Sequence, residues 1–188
     1  MVKKKNACVF ISGYGSNLRS LIKSSRVKNF PINISLVISD NPNAKGILQA
    51  KKNFIPFLII NTKKRNFENT ILNEMKKYKI SLVCLAGYMK IISKKFIKNF
   101  GKNIINIHPS LLPKFKGLNT FERILKNNER KSGCTVHYVD EKLDNGKIIV
   151  QKSFFINNKD TVKSLKEKTQ KLEHKAFSEA IIKMYRHN

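Results

Sequence analysis

Apolar residues recur along this chain with two different spacings. Residues 7–12 (Ala-Cys-Val-Phe-Ile-Ser) form a short apolar run that stops at Gly13-Tyr14-Gly15-Ser16-Asn17. Leu18, Leu21 and Ile22 then share one face of a helix, so the segment reads as strand, glycine-rich turn, helix. The order repeats. Residues 33–38 alternate and turn at Asp40-Asn41-Pro42-Asn43, with a helix expected over 44–52. Residues 56–60 read as a buried strand, followed by Phe67, Ile71, Leu72 and Met75 at helical spacing. Residues 82–86 are wholly apolar and close at Gly87, and Phe96 and Phe100 mark a short basic helix. A further strand over 104–107 ends at His108-Pro109.

The second half of the pattern differs. Thr120–Lys126 is expected to be a short helix, and residues 135–139 alternate before a turn over 140–146. Ile148–Phe155 suits a hairpin partner. Val162, Leu165, Thr169, Leu172, Ala176, Ala180 and Ile181 mark a long helix whose cap falls near Asp160-Thr161. Four βα units with buried strands predict an α/β fold. It is an open, mostly parallel, Rossmann-like sheet with helices on both faces and a late antiparallel or mixed extension. No repeat and no Pro/Gly/Ser linker interrupts the pattern, so residues 1–188 read as a single domain.

Composition narrows the class. A hydrophobic fraction of 41% over 188 residues excludes a disordered chain. No apolar run approaches the ~20 residues of a membrane-spanning helix, and the basic start Met1-Val2-Lys3-Lys4-Lys5 precedes too short an apolar stretch for a secretory signal. Cys8, Cys84 and Cys134 are odd in number, far apart and without zinc spacing. A reducing, cytoplasmic location without disulfides or metal is therefore expected. Lys and Arg number 38 against 12 acids, a formal charge of +26 that would attract any polyanion. The lysines are dispersed from Lys3 to Lys183, however, whereas nucleic-acid readers gather Arg and aromatics on one element. A solvated lysine surface is the expectation, with neither a specific nucleic acid nor a membrane as partner.

Candidate chemistry lies in the loops that follow strands. In open α/β sheets, ligands bind beyond the strands' carboxyl ends. Loops 13–17, 87–92 and 106–113 are all so placed and are expected to open on one edge. The first lacks the third glycine of a dinucleotide fingerprint and the lysine of a P-loop. It still offers backbone N–H groups, the Ser16 hydroxyl and the Asn17 amide at a helix N-terminus, which suits one phosphate. A plain turn with Ser16 as N-cap uses the same groups. Asn106 and His108 stand two apart on a strand and leave it on the same side. An amide beside an imidazole suits a developing oxyanion and a proton; the plain alternative is a satisfied buried histidine. Asp144 fits either an Asx-turn before Gly146 or a partner that raises the His108 pKa. Asp140 and Glu141 are expected at the surface. His137, in an alternating strand, reads as structural, and His187 at the chain's end carries no signal. Gln170 and Glu173 share one side of the last helix, facing either water or a substrate. No metal-ligand spacing, Gly-x-Ser-x-Gly elbow or Cys/His pair is present.

These motifs resemble a known family. Ile11-Ser12-Gly13-Tyr14-Gly15-Ser16-Asn17-Leu18, Leu85-Ala86-Gly87-Tyr88-Met89-Lys90-Ile91-Ile92 and Asn106-Ile107-His108-Pro109-Ser110-Leu111-Leu112-Pro113 carry the likeness. Gly133-Cys134-Thr135-Val136-His137-Tyr138-Val139 and Leu143-Asp144-Asn145-Gly146 complete it. Together they resemble the phosphoribosylglycinamide formyltransferases, the folate-dependent enzymes of purine synthesis.

The resemblance implies a formyltransferase fold in which Gly15, Ser16 and Asn17 hold the substrate's 5′-phosphate, with Glu173 and Gln170 on its ribose or glycinamide portion. It implies a folate pocket formed by Lys64, Met89, Lys90, Ile91, Ile92, Asn106, Asp140 and Asp144. Asn106, His108 and Asp144 form the implied catalytic set: the substrate amine attacks the formyl carbon of 10-formyltetrahydrofolate, Asn106 and protonated His108 stabilise the oxyanion, and Asp144 holds His108 and orders a water. The folate is a cosubstrate. No tightly bound cofactor or metal is implied, and the partners are small molecules acting on a monomer or homodimer.

Asn119, Phe121, Lys64, Lys90, Asn145 and Lys147 depart from the family's usual residues, which implies altered affinities. Methionyl-tRNA formyltransferase is the nearest alternative but normally carries a further RNA-binding domain. Formyltetrahydrofolate deformylase normally adds an N-terminal domain and lacks the Gly-Ser-Asn turn. A basic nucleic-acid-binding module is the alternative from another class.

Overall fold

In the computed structural model, residues 4–186 are described. Met1, Val2, Lys3 and His187 lie outside the described residues. The elements run β1 Lys5–Ile11, α1 Ser16–Ser25, β2 Ile32–Ser39, α2 Gly46–Lys52, β3 Phe57–Ile59, α3 Phe67–Lys77, β4 Leu82–Leu85 and α4 Lys94–Phe100. They continue with β5 Asn103–His108, α5 Thr120–Lys126, β6 Lys131–Tyr138, β7 Ile148–Phe155 and α6 Val162–Tyr185. The strands form one seven-stranded sheet in the order β3-β2-β1-β4-β5-β6-β7. β1 pairs in parallel with both β2 and β4, β2 with β3 likewise, and β6 with β7 antiparallel. The expected mostly parallel sheet with a late antiparallel extension is what forms.

The chain divides into two compact units, residues 1–105 and 106–188. In the first, β1 and β4 are buried nearly end to end, as strands covered on both faces must be. Phe10 packs edge-on against Tyr88 and Phe96, with ring centroids 5.2 and 6.1 Å away. One expectation fails: β3 is not buried. It ends the sheet, is paired on one side only, and leaves Phe57 and Ile59 37% and 42% exposed. The Lys51 ammonium, 5.6 Å from the Phe57 ring, covers part of that apolar edge.

In the second unit, β6 and β7 form the hairpin, and α6 buries Leu165, Ala176, Phe177, Ala180 and Ile181. Thr161 starts α6 with a reciprocal capping box to Ser164. Asp160 beside it accepts both Lys168 and Ser164, 2.7 Å each. The Lys168 ammonium chiefly holds its carboxyl down at about 2. Cys8, Cys84 and Cys134 are buried thiols whose pKa values burial pushes up, which suits packing rather than nucleophilic work. Among the described residues, no helix is long and apolar enough to cross a membrane.

Candidate active site

The turn after β1 is shaped by two glycines from different elements. Gly15, the residue before α1, has φ +73°, and a Cβ on it would lie 2.5 Å from the Gly46 Cα. Gly46 N–H donates to the Gly13 carbonyl at 3.0 Å, so the start of α2 forms the floor of the turn. Gly15, not Ser16, is the N-cap, because only the left-handed glycine brings the chain that close; Ser16 is the first helical residue. Asn17 is buried within α1, and Lys45 reaches over exposed Tyr14, 4.8 Å from the ring. The amides at the head of this ten-residue helix favour an anion.

The loop after β4 exposes two large apolar side chains, Met89 at 61% and Ile91 at 76%, with Lys90 exposed between them and Ile92 half-buried. Exposed apolar groups clustered in a loop suit a flat apolar ligand. Lys64 is an exposed side chain on the separate segment before α3.

In the second unit, three of the expected residues meet. Asn106 and His108 come from β5 and Asp144 from the turn between β6 and β7. The turn is narrow because Gly146 lies against the Tyr138 backbone, where a Cβ would be 1.8 Å from its carbonyl oxygen. Asp140, which is exposed, makes the local Asx bond, accepting Lys142 N–H at 2.9 Å. Asp144 is thereby left to turn inward at φ 47° and become buried. Its Oδ2 lies 3.3 Å from His108 Nδ1 and accepts Gly117 N–H at 2.9 Å, while Oδ1 accepts the Asn106 amide at 3.4 Å.

His137 completes the cluster. It is buried, with Nε2 3.2 Å from Asn106 Nδ2 and 3.7 Å from Asp144 Oδ1. Its Nδ1 lies 2.8 Å from the Tyr138 carbonyl, which can only accept, so Nδ1 carries the proton. Asn106 Nδ2 can only donate, so Nε2 is its acceptor. This fixes which way the amide points.

His108 is held from both sides. Nε2 lies 2.9 Å from the Phe115 carbonyl and Nδ1 faces Asp144, so only the doubly protonated ring donates to both. Burial nevertheless lowers the His108 pKa, outweighing the upward pull of the Phe115 carbonyl and Asp144. The pairing expected from the sequence is present, but the net shift is the reverse of the rise it was expected to cause. For Asp144, burial acts upward, but the Gly117 N–H and His108 hold the carboxyl below its ordinary value. Phe115, Gly117 and Asn119 all take left-handed backbone, which aims the Phe115 carbonyl and Gly117 N–H at the two catalytic candidates. The 109–113 segment is pinned by Thr135, whose Oγ1 donates to the Ser110 carbonyl and accepts Leu112 N–H, at 2.7 and 3.1 Å.

Gln170 and Glu173 are half-buried on α6. Burial pushes the Cys134 thiol up to about 12, and the charge of Glu173 adds to the rise. Among the described residues, no three His, Cys, Asp or Glu side chains are grouped to hold a metal ion.

The comparisons with known proteins agree on one family. Residues 5–181 match the Formyl transferase family. The chain belongs to the formyl transferase family. It is 40% identical over 183 residues to the human trifunctional purine biosynthetic protein adenosine-3, covering 95% of this chain but only 18% of that protein's length. To the phosphoribosylglycinamide formyltransferase of Bacillus subtilis it is 36% identical over 94% of this chain and 93% of that one. Among solved structures, the phosphoribosylglycinamide formyltransferase of Brucella melitensis superposes with a TM-score of 0.92 at 36% identity, covering 99% and 97% of the two chains. That of Anaplasma phagocytophilum gives 0.90 at 40% identity, covering 95% and 85%.

Within this formyl transferase, two contributors escape the sequence reading. Gly46 has a usable signal: glycine in a short helix costs about 1 kcal/mol relative to alanine and calls for a reason. His137 has a weaker one, being a second histidine beside the Gly133-Cys134-Thr135 run. Asn145 accepts Lys116 Nζ at 2.7 Å, which ties its loop to the 115–119 segment.

Proposed function

We propose that this formyl transferase passes the formyl group of 10-formyltetrahydrofolate to the amine of N1-(5-phospho-D-ribosyl)glycinamide in de novo purine synthesis. The reading rests on one observation above all, the meeting of Asn106 with the buried His108 and Asp144. The near full-length match to the Bacillus subtilis enzyme supports it. That one family spans residues 5–181 supports treating the chain as a single formyltransferase domain.

The chemistry follows from the groups present. The amine nitrogen attacks the formyl carbon and the carbonyl oxygen becomes an oxyanion. Asn106 Nδ2–H, released from its long 3.4 Å bond to Asp144, and the His108 imidazolium donate to it. An oxyanion is a stronger acceptor than the Phe115 carbonyl, and Asp144 compensates the second ring proton. The amine's proton leaves through a water held by Asp144 and reaches N10 of the folate as the carbon–N10 bond breaks. Gly15, Ser16 and Asn17 hold the 5′-phosphate, and Gln170 and Glu173 bind the ribose or glycinamide. Lys64, Met89, Lys90, Ile91, Ile92, Asn106, Asp140 and Asp144 serve the folate. The reading implies a cytoplasmic enzyme, monomer or homodimer, acting on small molecules, with no tightly bound cofactor.

Mixing the protein with glycinamide ribonucleotide and 10-formyltetrahydrofolate should release tetrahydrofolate with saturation in both substrates. Release without the ribonucleotide would point to deformylation, and transfer to methionyl-tRNA instead would point to that branch. Either result overturns the reading.

A further inference from the structure

Ser12, the residue between β1 and the glycine turn, has every polar group engaged. Its N–H donates to the Gly87 carbonyl at 3.1 Å, and its carbonyl accepts the Asn41 side-chain amide at 3.0 Å. Its hydroxyl donates to Asp40 Oδ1 at 2.5 Å, and the same oxygen accepts Met89 N–H at 2.8 Å. The directions are forced. An ionised carboxylate can only accept, so the hydroxyl proton is committed to Asp40 and the lone pairs are left facing Met89. The negative charge on Asp40 polarises that hydroxyl and strengthens it as an acceptor.

Ser12 thus ties the exposed loop after β4 to the residue beside the anion-binding turn. The far end of the loop is tied separately, by Ser93, whose N–H and hydroxyl donate to Glu68 at 3.2 and 2.5 Å. Between the two ties stand the exposed Met89, Lys90 and Ile91.

We propose that Ser12, oriented by Asp40, is a positioning residue that sets the folate-side loop against the phosphate turn through the Met89 backbone. The inference rests on the proposed function, which assigns loop 87–92 to folate and turn 13–17 to the phosphate. Ser12 touches neither substrate in this account. It acts through Met89.

The test is Ser12→Ala. Both backbone bonds of residue 12 survive the change, so the turn keeps its place and only the hydroxyl link is lost. The KM for 10-formyltetrahydrofolate should rise about tenfold, the effect of one lost charge-assisted link, while the ribonucleotide KM stays within about twofold. The Met89 amide should exchange with deuterium faster than in the parent protein. Ser12→Thr, which keeps the hydroxyl, should bring the folate KM back to within about threefold of the parent. An unchanged folate KM, an equal rise in both KM values, or unchanged Met89 exchange overturns the proposal. Absence of formyl transfer by the parent protein would instead overturn the functional reading, and the exchange arm would still decide whether Ser12 holds the loop.

Discussion

His108 Nδ1 and Asp144 Oδ2 stand 3.3 Å apart, each side chain only 7% exposed. So dry a pair matters most when the imidazole is charged, because then the carboxylate offsets a charge that water cannot reach. Asp144→Asn keeps the size of the side chain and an oxygen for the Gly117 N–H but removes that offset. Steady-state tetrahydrofolate release should show kcat/KM lower by about a hundredfold or more, with the fold retained. A variant within a few-fold of the parent would remove Asp144 from the catalytic set.

His137→Phe should separate aiming from binding. The half-buried Asn106 amide loses its ring acceptor, and one lost hydrogen bond costs about 1 kcal/mol. A lower denaturation midpoint is expected, with kcat falling about tenfold and both KM values little changed. A rise in KM alone would show that Asn106 does not depend on the His137 lone pair.

Acid should weaken this protein in two steps. Burial lowers the His108 pKa, so the unfolded chain takes up a proton near the ordinary 6.5 before the folded one does. That share of stability is complete above 6.5 and is lost as pH falls through the lowered folded value. The depressed Asp144 carboxyl acts in the same direction further down: its contribution is complete above 3.8 and is lost as pH falls through its folded value. Denaturant midpoints taken from about pH 8 to about pH 5 should fall less steeply for His108→Gln than for the parent. Equal slopes would refute the assignment.

Gly46→Ala tests the floor of the phosphate turn. The new methyl would meet Ile11 Cδ1 at 2.6 Å and Gly15 Cα at 3.1 Å, and the Gly15 backbone cannot swing aside as a side chain can. A loss of about 1–3 kcal/mol in unfolding free energy is expected, with a raised ribonucleotide KM. Isothermal titration with inorganic phosphate would show whether the turn itself has been displaced.

The chain's alternation and periodicity determined nearly all of the architecture, because burial on both faces leaves a parallel strand no freedom but to be apolar. The run at 82–86 and the helical stripe from Val162 to Ile181 needed no tertiary information to be read. Where local pattern and final environment part, the sequence alone was insufficient. Residues 56–60 are as apolar as a central strand, yet sheet order puts β3 at an edge, a fact encoded in no window of the chain. Asn106, His108 and Asp144 were legible as candidates, being polar residues in apolar or tight-turn settings. Only tertiary structure decided that Asp144 turns inward while Asp140 takes the Asx bond, and that His137 joins them. It also set the sign at His108, because desolvation is a property of everything packed around the ring, whereas the sequence displays only the partners that could charge it.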